Sequence, residues 1–501
     1  MFDQLFGQIP AAFEAALTVY NLLAIAGGIV LGIVIGAIPG LGSVTAMAVL
    51  IPLTYYMSPL ASIAFLVGVN KGGTSGGAIP AILLNSPGTP ESAATALDGH
   101  PMAKRGEAKR ALKFAIFSSV TGDMISDLLL IVLVVPFAMI ALQFGPWEYT
   151  AVFLFAFALL SSITGDSPLK GTIAIFAGIF LSTIGLDPVH SSPRMTFGQI
   201  NLFDGLPLIA LAIGGLALAS VLGEMLDMNR AGGKDTFTLE QPRSGAATKL
   251  PAREFLGYWK TILRSSLIGS FVGMLPGLGV TLAAFLSYGA ARRASPNGEN
   301  FGKGEPEGII ATEAANSAVV GANLVPTIAL GIPGNIAAAL LIGALVMHGV
   351  VPGPFMLQMH GDLVYALFAS MILANFVHLA IGRLGVNVWV HFATIPRGLI
   401  LPPVISFCIV GVYLPQQSLW DVGVMLAFAG LGILMKRTGF SMVCLVIGFL
   451  LGGQFETSLR QTLLLYHGRS MELLQSPVAM IFLLLTIGIM VRAFLPSRKA
   501  A

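Results

Sequence analysis

Long apolar runs separated by short polar segments fill this chain from about residue 17 to about residue 495. None of them alternates apolar and polar positions in ten-residue stretches, as a closed barrel would require, so the runs predict helices. The first runs cover residues 17–38 and 43–57, and a third starts at Leu60. Plain apolar spans follow at roughly 114–143, 147–164, 169–186 and 205–222. A second series reads 265–275, 280–291, 308–332 and 335–350, and the last runs lie near 362–382, 385–395, 398–414, 418–435, 440–452 and 475–495. At roughly 20 residues per crossing, the pattern predicts an all-α polytopic membrane protein with on the order of 12 hydrophobic segments.

The interruptions inside these runs repeat. Gly36-Ala37-Ile38-Pro39-Gly40-Leu41-Gly42 returns as Gly273-Met274-Leu275-Pro276-Gly277-Leu278-Gly279, a separation of 237 residues (276 − 39). The stretch Pro80 to Gly88, ending Asn85-Ser86-Pro87-Gly88, returns as Pro326 to Gly334, a separation of 246 (333 − 87), and Asn70 and Asn316 share that second offset. This divides the chain into a first repeat unit with its following spans (1–222), a polar cytoplasmic loop (223–262), a second repeat unit (263–360) and C-terminal spans (361–501). The arms around Pro276-Gly277 are each about 12 residues, too short to cross alone, and Arg264 and Arg292-Arg293 bracket them. By the positive-inside rule they form a re-entrant hairpin entering from the cytoplasm. In the first unit the arms have neutral flanks, and a basic loop (Lys104, Arg105, Lys109, Arg110, Lys113) follows the Pro87-Gly88 element instead. Two related units with exchanged basic flanks predict an inverted repeat.

Composition sharpens this. With 55% hydrophobic and 10% charged residues, the chain falls far below the roughly 25% charge of soluble domains. The net charge of +3 sets topology and carries no sign of a nucleic-acid partner; the surroundings are the lipid bilayer. Cys408 and Cys444 lie in apolar runs, so neither a disulfide framework nor a metal cluster is expected. The N-terminus lacks the basic region of a cleavable signal, and is expected to be retained.

Chemistry is predicted where helices break. Proline ends a helix and glycine permits the turn. In lipid the freed N–H and C=O groups each cost several kcal/mol unless protein, water or ligand satisfies them. Helix N-termini after the breaks suit a carboxylate, and carbonyls at C-terminal ends suit Na⁺. One helix end contributes only about 0.3–1 kcal/mol, so a di- or tricarboxylate also needs co-bound cations or a basic side chain. The candidate substrate-binding residues are Pro39, Gly40, Gly42, Ser43, Lys71, Asn85, Ser86, Pro87, Gly88 and Thr89 in the first unit, with Pro276, Gly277, Gly279, Thr281, Pro333, Gly334 and Asn335 in the second. Candidate cation-binding residues are Thr45, Asn70, Thr74, Ser75, Asn316, Asn323 and Gly331. Na⁺ is the one metal considered, as coupling ion alongside H⁺; no cofactor is expected. Lys71 is the one Lys or Arg inside a motif-bearing apolar run, and intramembrane charge points to function.

Structural readings compete with each of these. Single Ser and Thr residues often bond back to helix carbonyls, and Gly72-Gly73 and Gly76-Gly77 suit close helix packing. Lys71 can equally snorkel or pair structurally. His348, His378 and His391 read as structural groups near membrane edges, and Asp123, Asp127 and Asp166 as interfacial caps. An enzyme is not expected; the remote alternative is an intramembrane hydrolase using Ser75 with Lys71 four residues earlier. A stand-alone carboxylate carrier or a channel is the nearer alternative.

The motifs Gly36–Ser43, Lys71–Pro80, Asn85–Glu91, Asp98–Lys104 and Glu305–Gly308 resemble the large membrane subunit of tripartite tricarboxylate transporters, the TctA family, over essentially the whole chain. The resemblance implies a multi-pass protein of the bacterial inner membrane that works with a small four-helix membrane subunit and a periplasmic solute-binding protein. It implies import of citrate-like carboxylates on a Na⁺ or H⁺ gradient, and an elevator-like division into scaffold and transport parts. No Walker motif G-x-x-x-x-G-K-[ST] is present, in keeping with an ion gradient as driver.

Overall fold

The computed structural model describes residues 10–38, 40–163, 167–187, 190–230, 250–277, 279–392, 397–467 and 470–494. Pro39, Asp166, Leu278, Lys234, Arg243 and Lys249 lie outside them. The described chain is helical apart from one short strand pair, Gly185–Leu186 with Pro193–Arg194. Among the described residues seven helices are long and apolar enough to cross a membrane, and five shorter apolar helices accompany them.

The first repeat consists of α1 (Val19–Gly36), α2 (Ser43–Thr54), α3 (Pro59–Gly76), α4 (Ala78–Leu84) and α5 (Ser92–Met102). Next come α6 (Ala108–Ala141), α7 (Pro146–Ile163) and α8 (Pro168–Ser182). The helices α9 (Leu208–Ala212) and α10 (Ala219–Arg230) join through a π-helical turn at Ile213–Leu218. The second repeat has the same order: α11 (Trp259–Met274), α12 (Gly279–Ala294), α13 (Pro306–Ala322), α14 (Leu324–Leu330) and α15 (Ile336–Met347). The chain then continues as α16 (Gly361–Phe392), α17 (Arg397–Gln416), α18 (Leu419–Thr438), α19 (Met442–Leu465) and α20 (Pro477–Phe494).

Two compact units divide these elements. Unit 1 holds Met1–Ala138, Ser220–Leu275 and Gly279–Gly411, and therefore both repeats except the Pro276–Leu278 tip. Unit 2 holds Met139–Ala219, Pro276–Leu278 and Val412–Ala501. In unit 2 the strand pair is tied to α19 by Arg194, which lies 2.6 Å from Glu456, with Arg460 3.0 Å from Asp187.

Within unit 1 the repeats are built alike. Gly28, Gly32 and Gly36 of α1 meet the backbone of Phe65, Val69 and Gly73 of α3, while Gly68, Gly72 and Gly76 of α3 meet Ile25, Ile29 and Ile33. Both numbers in each pair increase together, so α1 and α3 run parallel, with glycine every fourth residue letting the backbones touch. In the second repeat Gly269 and Gly273 of α11 meet Ala315 and Val319 of α13. These are the Gly32–Val69 and Gly36–Gly73 contacts shifted by the two sequence offsets. The intervening helix runs back in both repeats. Ser62 at the start of α3 donates to Thr54 O at the end of α2 (2.9 Å). Glu307 at the start of α13 accepts from both Thr261 of α11 and Ser295 after α12. Each pair α1–α2 and α11–α12 is thus a hairpin that begins and ends at one level.

The structure departs from the sequence reading in two places. The basic segment after Pro90 is no loop: Ala103–Glu107 forms a π turn with a kink at Gly106 (φ 89°), and helix runs from Ser92 to Ala141. Its charges are partnered in place, Arg105 donating to Gly304 O and Lys303 O and Arg110 pairing with Glu107 and Glu254, so helix can persist there. The break expected between 362–382 and 385–395 is absent: α16 runs through it from Gly361 to Phe392, and residues 393–395 lie outside the described residues.

Candidate functional site

The breaks predicted from sequence come together at the hairpin tips. After α4 the chain reverses through Asn85, whose backbone is left-handed (φ 52°). It then returns so that Gly88 rests on Gly36 O and Gly77; a Cβ there would lie 2.7 and 3.1 Å from them. The second repeat reproduces this. Gly331 is left-handed (φ 73°), and a Cβ on Gly334 would lie 2.9 Å from Gly273 O and 3.1 Å from Asn323 Cα. The turn glycines also match, Gly40 at φ 90° and Gly277 at φ 87°. The helix caps correspond as well: Thr89 Oγ1 accepts from Ser92 N (3.4 Å), and Asn335 Oδ1 from Ala338 N (2.9 Å).

These contacts place the candidates. Ser43 lies against Gly73, and Thr89 against Gly42 and Gly77, so the Pro39 break and the Pro87 break form one first-repeat tip. Ser43, Thr45, Thr74, Gly88 and Thr89 are buried there, Ser86 is half-buried, and Asn85 and Pro87 are exposed. In the second repeat Gly331, Pro333 and Gly334 are buried while Gly279, Thr281 and Asn335 are half-buried. Pro276 and Gly277 group with unit 2, where Leu160 of α7 packs on Gly277. The Gly40 turn lies directly against the Glu224 carboxylate, so an acid already stands at the first tip.

Buried amides stand out among the unpartnered groups. Both side-chain atoms of Asn316 and of Asn323 lack a hydrogen-bond partner although each residue is only 1% exposed. Such groups cost about 1–3 kcal/mol each when nothing answers them, and an amide can donate to a carboxylate or accept a cation. Asn70, the counterpart of Asn316, is buried too.

Lys71 sits elsewhere. Its ammonium lies 2.6 Å from Asp127 Oδ2 and 2.7 Å from Asn375 Oδ1, and Asn375 Nδ2 closes the triangle onto Asp127 Oδ2 (2.7 Å). Asp123 Oδ1 is 3.7 Å from Lys71, and Asp123 Oδ2 is 3.9 Å from His378 Nδ1. His378 Nε2 lies 2.8 Å from Ser75 Oγ, which itself donates to Gly72 O (3.2 Å). Lys71, Asp123 and His378 are wholly buried and Asp127 nearly so. The two aspartates are buried beside Lys71, and His378 is buried with them. Ser75 Oγ is in contact with both His378 Nε2 and Gly72 O. Ser75, His378 and Asp123 stand in nucleophile, base and acid order, but the 3.9 Å between His378 Nδ1 and Asp123 Oδ2 is longer than the hydrogen bond that would orient the imidazole.

Sequence reading passed over this network, although a signal was present. Asp123 and Asp127 are four apart in one apolar helix, and Asn375 and His378 three apart in another, so each pair shares a helix face. A second buried acid was missed, Glu313 of α13, which accepts from Thr95 (2.5 Å) and Ser119 (3.0 Å). The Asp98 and Glu305 motifs turn out to meet. Asp98 Oδ1 accepts from the backbone N–H of Gly302, Gly304 and Glu305 at 2.8–2.9 Å, clasping the loop before α13.

The family model described as "Tripartite tricarboxylate transporter TctA family" matches residues 22–447. An Agrobacterium vitis protein named "Uncharacterized 52.8 kDa protein in TAR-I ttuC' 3'region" is 32% identical over 498 residues, 99% of this chain and 97% of its own. A second from that organism, "Uncharacterized protein in TAR-II ttuC' 3'region", is 32% identical over 232 residues, 46% of this chain and 96% of its own. No solved structure matches. On the match across residues 22–447, the chain belongs to the tripartite tricarboxylate transporter TctA family.

Proposed function

We propose that this chain is the large membrane subunit of a binding-protein-dependent secondary transporter, importing citrate-like di- or tricarboxylates on a Na⁺ or H⁺ gradient across the bacterial inner membrane. A small four-helix subunit and a periplasmic solute-binding protein complete the system. One observation carries the reading: the same tip, a left-handed break folded back onto a parallel helix pair, occurs twice in unit 1 at Gly88 and at Gly334. Doubled breaks leave backbone polar groups inside a membrane protein at a cost that a bound ligand offsets. The substrate carboxylates are taken by the helix N-termini after Thr89 and Asn335 and by the open amides of Asn316 and Asn323. Glu224 beside Gly40 makes anion binding at the first tip depend on an accompanying cation. The repeats are read as inverted and as moving in an elevator-like cycle.

The test is uptake of labelled citrate and related acids into cells expressing the chain with its neighbouring reading frames. Asn85→Gly keeps the left-handed backbone, and Asn335→Ser keeps an oxygen able to cap α15, while each removes the amide. Both variants are expected to insert normally and lose at least nine-tenths of uptake. Wild-type rates in both would remove these amides from the site. Uptake that needs no binding protein and outpaces carrier turnover would make the protein a channel.

A further inference from the structure

The buried network around Lys71 leaves one acid without a hydrogen bond. Lys71 and Asp127 satisfy each other, with Asn375 bridging. That leaves Asp123, neither of whose oxygens has a hydrogen-bond partner, facing His378 Nδ1, which has none either, across 3.9 Å. Ser75 Oγ lies 3.2 Å from Gly72 O and 2.8 Å from His378 Nε2, and its one proton can serve either. When Gly72 O takes it, Nε2 carries the ring hydrogen and Nδ1 presents a lone pair to the Asp123 carboxylate. One added proton brings the formal charge of Lys71, Asp123, Asp127 and His378 from −1 to zero, and closing of the 3.9 Å gap to hydrogen-bond distance would let the pair share it.

From α3 the Asp123–His378 pair is faced by Lys71 and Ser75, from α6 by Asp123 and Asp127, and from α16 by Asn375 and His378. From α13 Gly321 packs against Asp127, while the acid of that helix, Glu313, is held by Thr95 and Ser119. The pair is also linked to the first tip: Ser75, on α3, stands between Gly73, which packs on Ser43, and Gly77, which packs on Thr89.

We propose that Asp123 and His378 form a binding site for a single proton, and that its loading and release couple carboxylate import to the proton gradient. The coupling half rests on the importer reading above; the proton site does not. Two measurements separate them. Infrared difference spectra of the purified full chain in nanodiscs, acid minus alkaline, are expected to contain carboxyl and imidazole bands that vanish in both Asp123→Asn and His378→Gln. The same bands persisting in either folded variant would overturn the site. In right-side-out membrane vesicles supplied with the binding protein, both variants are expected to keep citrate exchange within twofold of wild type. Accumulation driven by an imposed pH gradient without Na⁺ should fall at least tenfold. Undiminished pH-driven accumulation in the variants, or accumulation by the wild type that answers only to a Na⁺ gradient, would overturn the coupling. A wild type that exchanges no carboxylate would instead sink the importer reading, leaving the infrared bands to decide the proton site.

Discussion

Lys71 illustrates how one residue in an apolar helix is tolerated. A lone ammonium in the interior costs several kcal/mol even after relaxation; here it is offset by Asp127 at 2.6 Å and the Asn375 amide at 2.7 Å. Lys71→Met leaves Asp127 without its cation, and breaking a buried pair from one side costs about 3–5 kcal/mol. The single variant is therefore expected to show a sharply lower melting temperature in detergent, and Lys71→Met combined with Asp127→Asn to recover most of the loss. A double variant as unstable as the single would show that the pair does not account for the burial of Lys71. Asn85 and Gly331 make a second residue-level comparison. They occupy one left-handed position of the repeat, filled once by glycine and once by the residue type that best tolerates it among side-chain-bearing ones.

At the scale of elements, packing of parallel helices decides the architecture. α1 on α3 and α11 on α13 approach until glycine Cα atoms touch carbonyls of the neighbour, which in lipid supplies van der Waals contact where burial from water cannot. Gly32 and Gly269 hold equivalent places, each against one backbone carbonyl, of Val69 and of Ala315. Gly32→Leu and Gly269→Leu should each force their helix pair apart and lower the yield of monodisperse protein severalfold, while leucine at Gly27 or Gly430, where nothing lies within 4 Å, should leave it near wild type. Equal yields from all four would mean these contacts do not set the helix spacing. The sequence shows glycine at every fourth position of both α1 and α3, and that is enough to foresee close packing. It does not reveal that the two runs belong to partner helices, since Gly28 and Phe65 are brought together only by the intervening hairpin.

For the whole molecule the open question of topology has a direct measure. The swapped basic flanks predict that the α1–α2 hairpin is entered from the periplasm and α11–α12 from the cytoplasm. Cysteines 408 and 444 are both buried, so introduced cysteines report cleanly. Tyr56→Cys, exposed after α2, should react with an impermeant maleimide added to intact cells, and Glu299→Cys, exposed after α12, only after permeabilisation. Labelling of both from one side would end the inverted-repeat reading.

By itself the sequence determined membrane residence, helix class, the position of each break and the doubling of the tips. These are properties of local composition: apolar length, proline and glycine act on the backbone where they stand, and their recurrence at offsets of 237 and 246 can be counted. Residues 382–385 were misread because a polar or glycine-rich patch lowers hydropathy without ending a helix. The Ala103–Glu107 turn was misread because charged side chains there find partners far along the chain, at Gly304 and Glu254. Only the tertiary structure decided what Lys71 touches, that Asp123 faces His378, that the Asp98 and Glu305 motifs close on each other, and that Asn316 and Asn323 keep open amides. Each joins groups tens to hundreds of residues apart or leaves them unanswered, and spacing along a chain carries no information about distance across a fold.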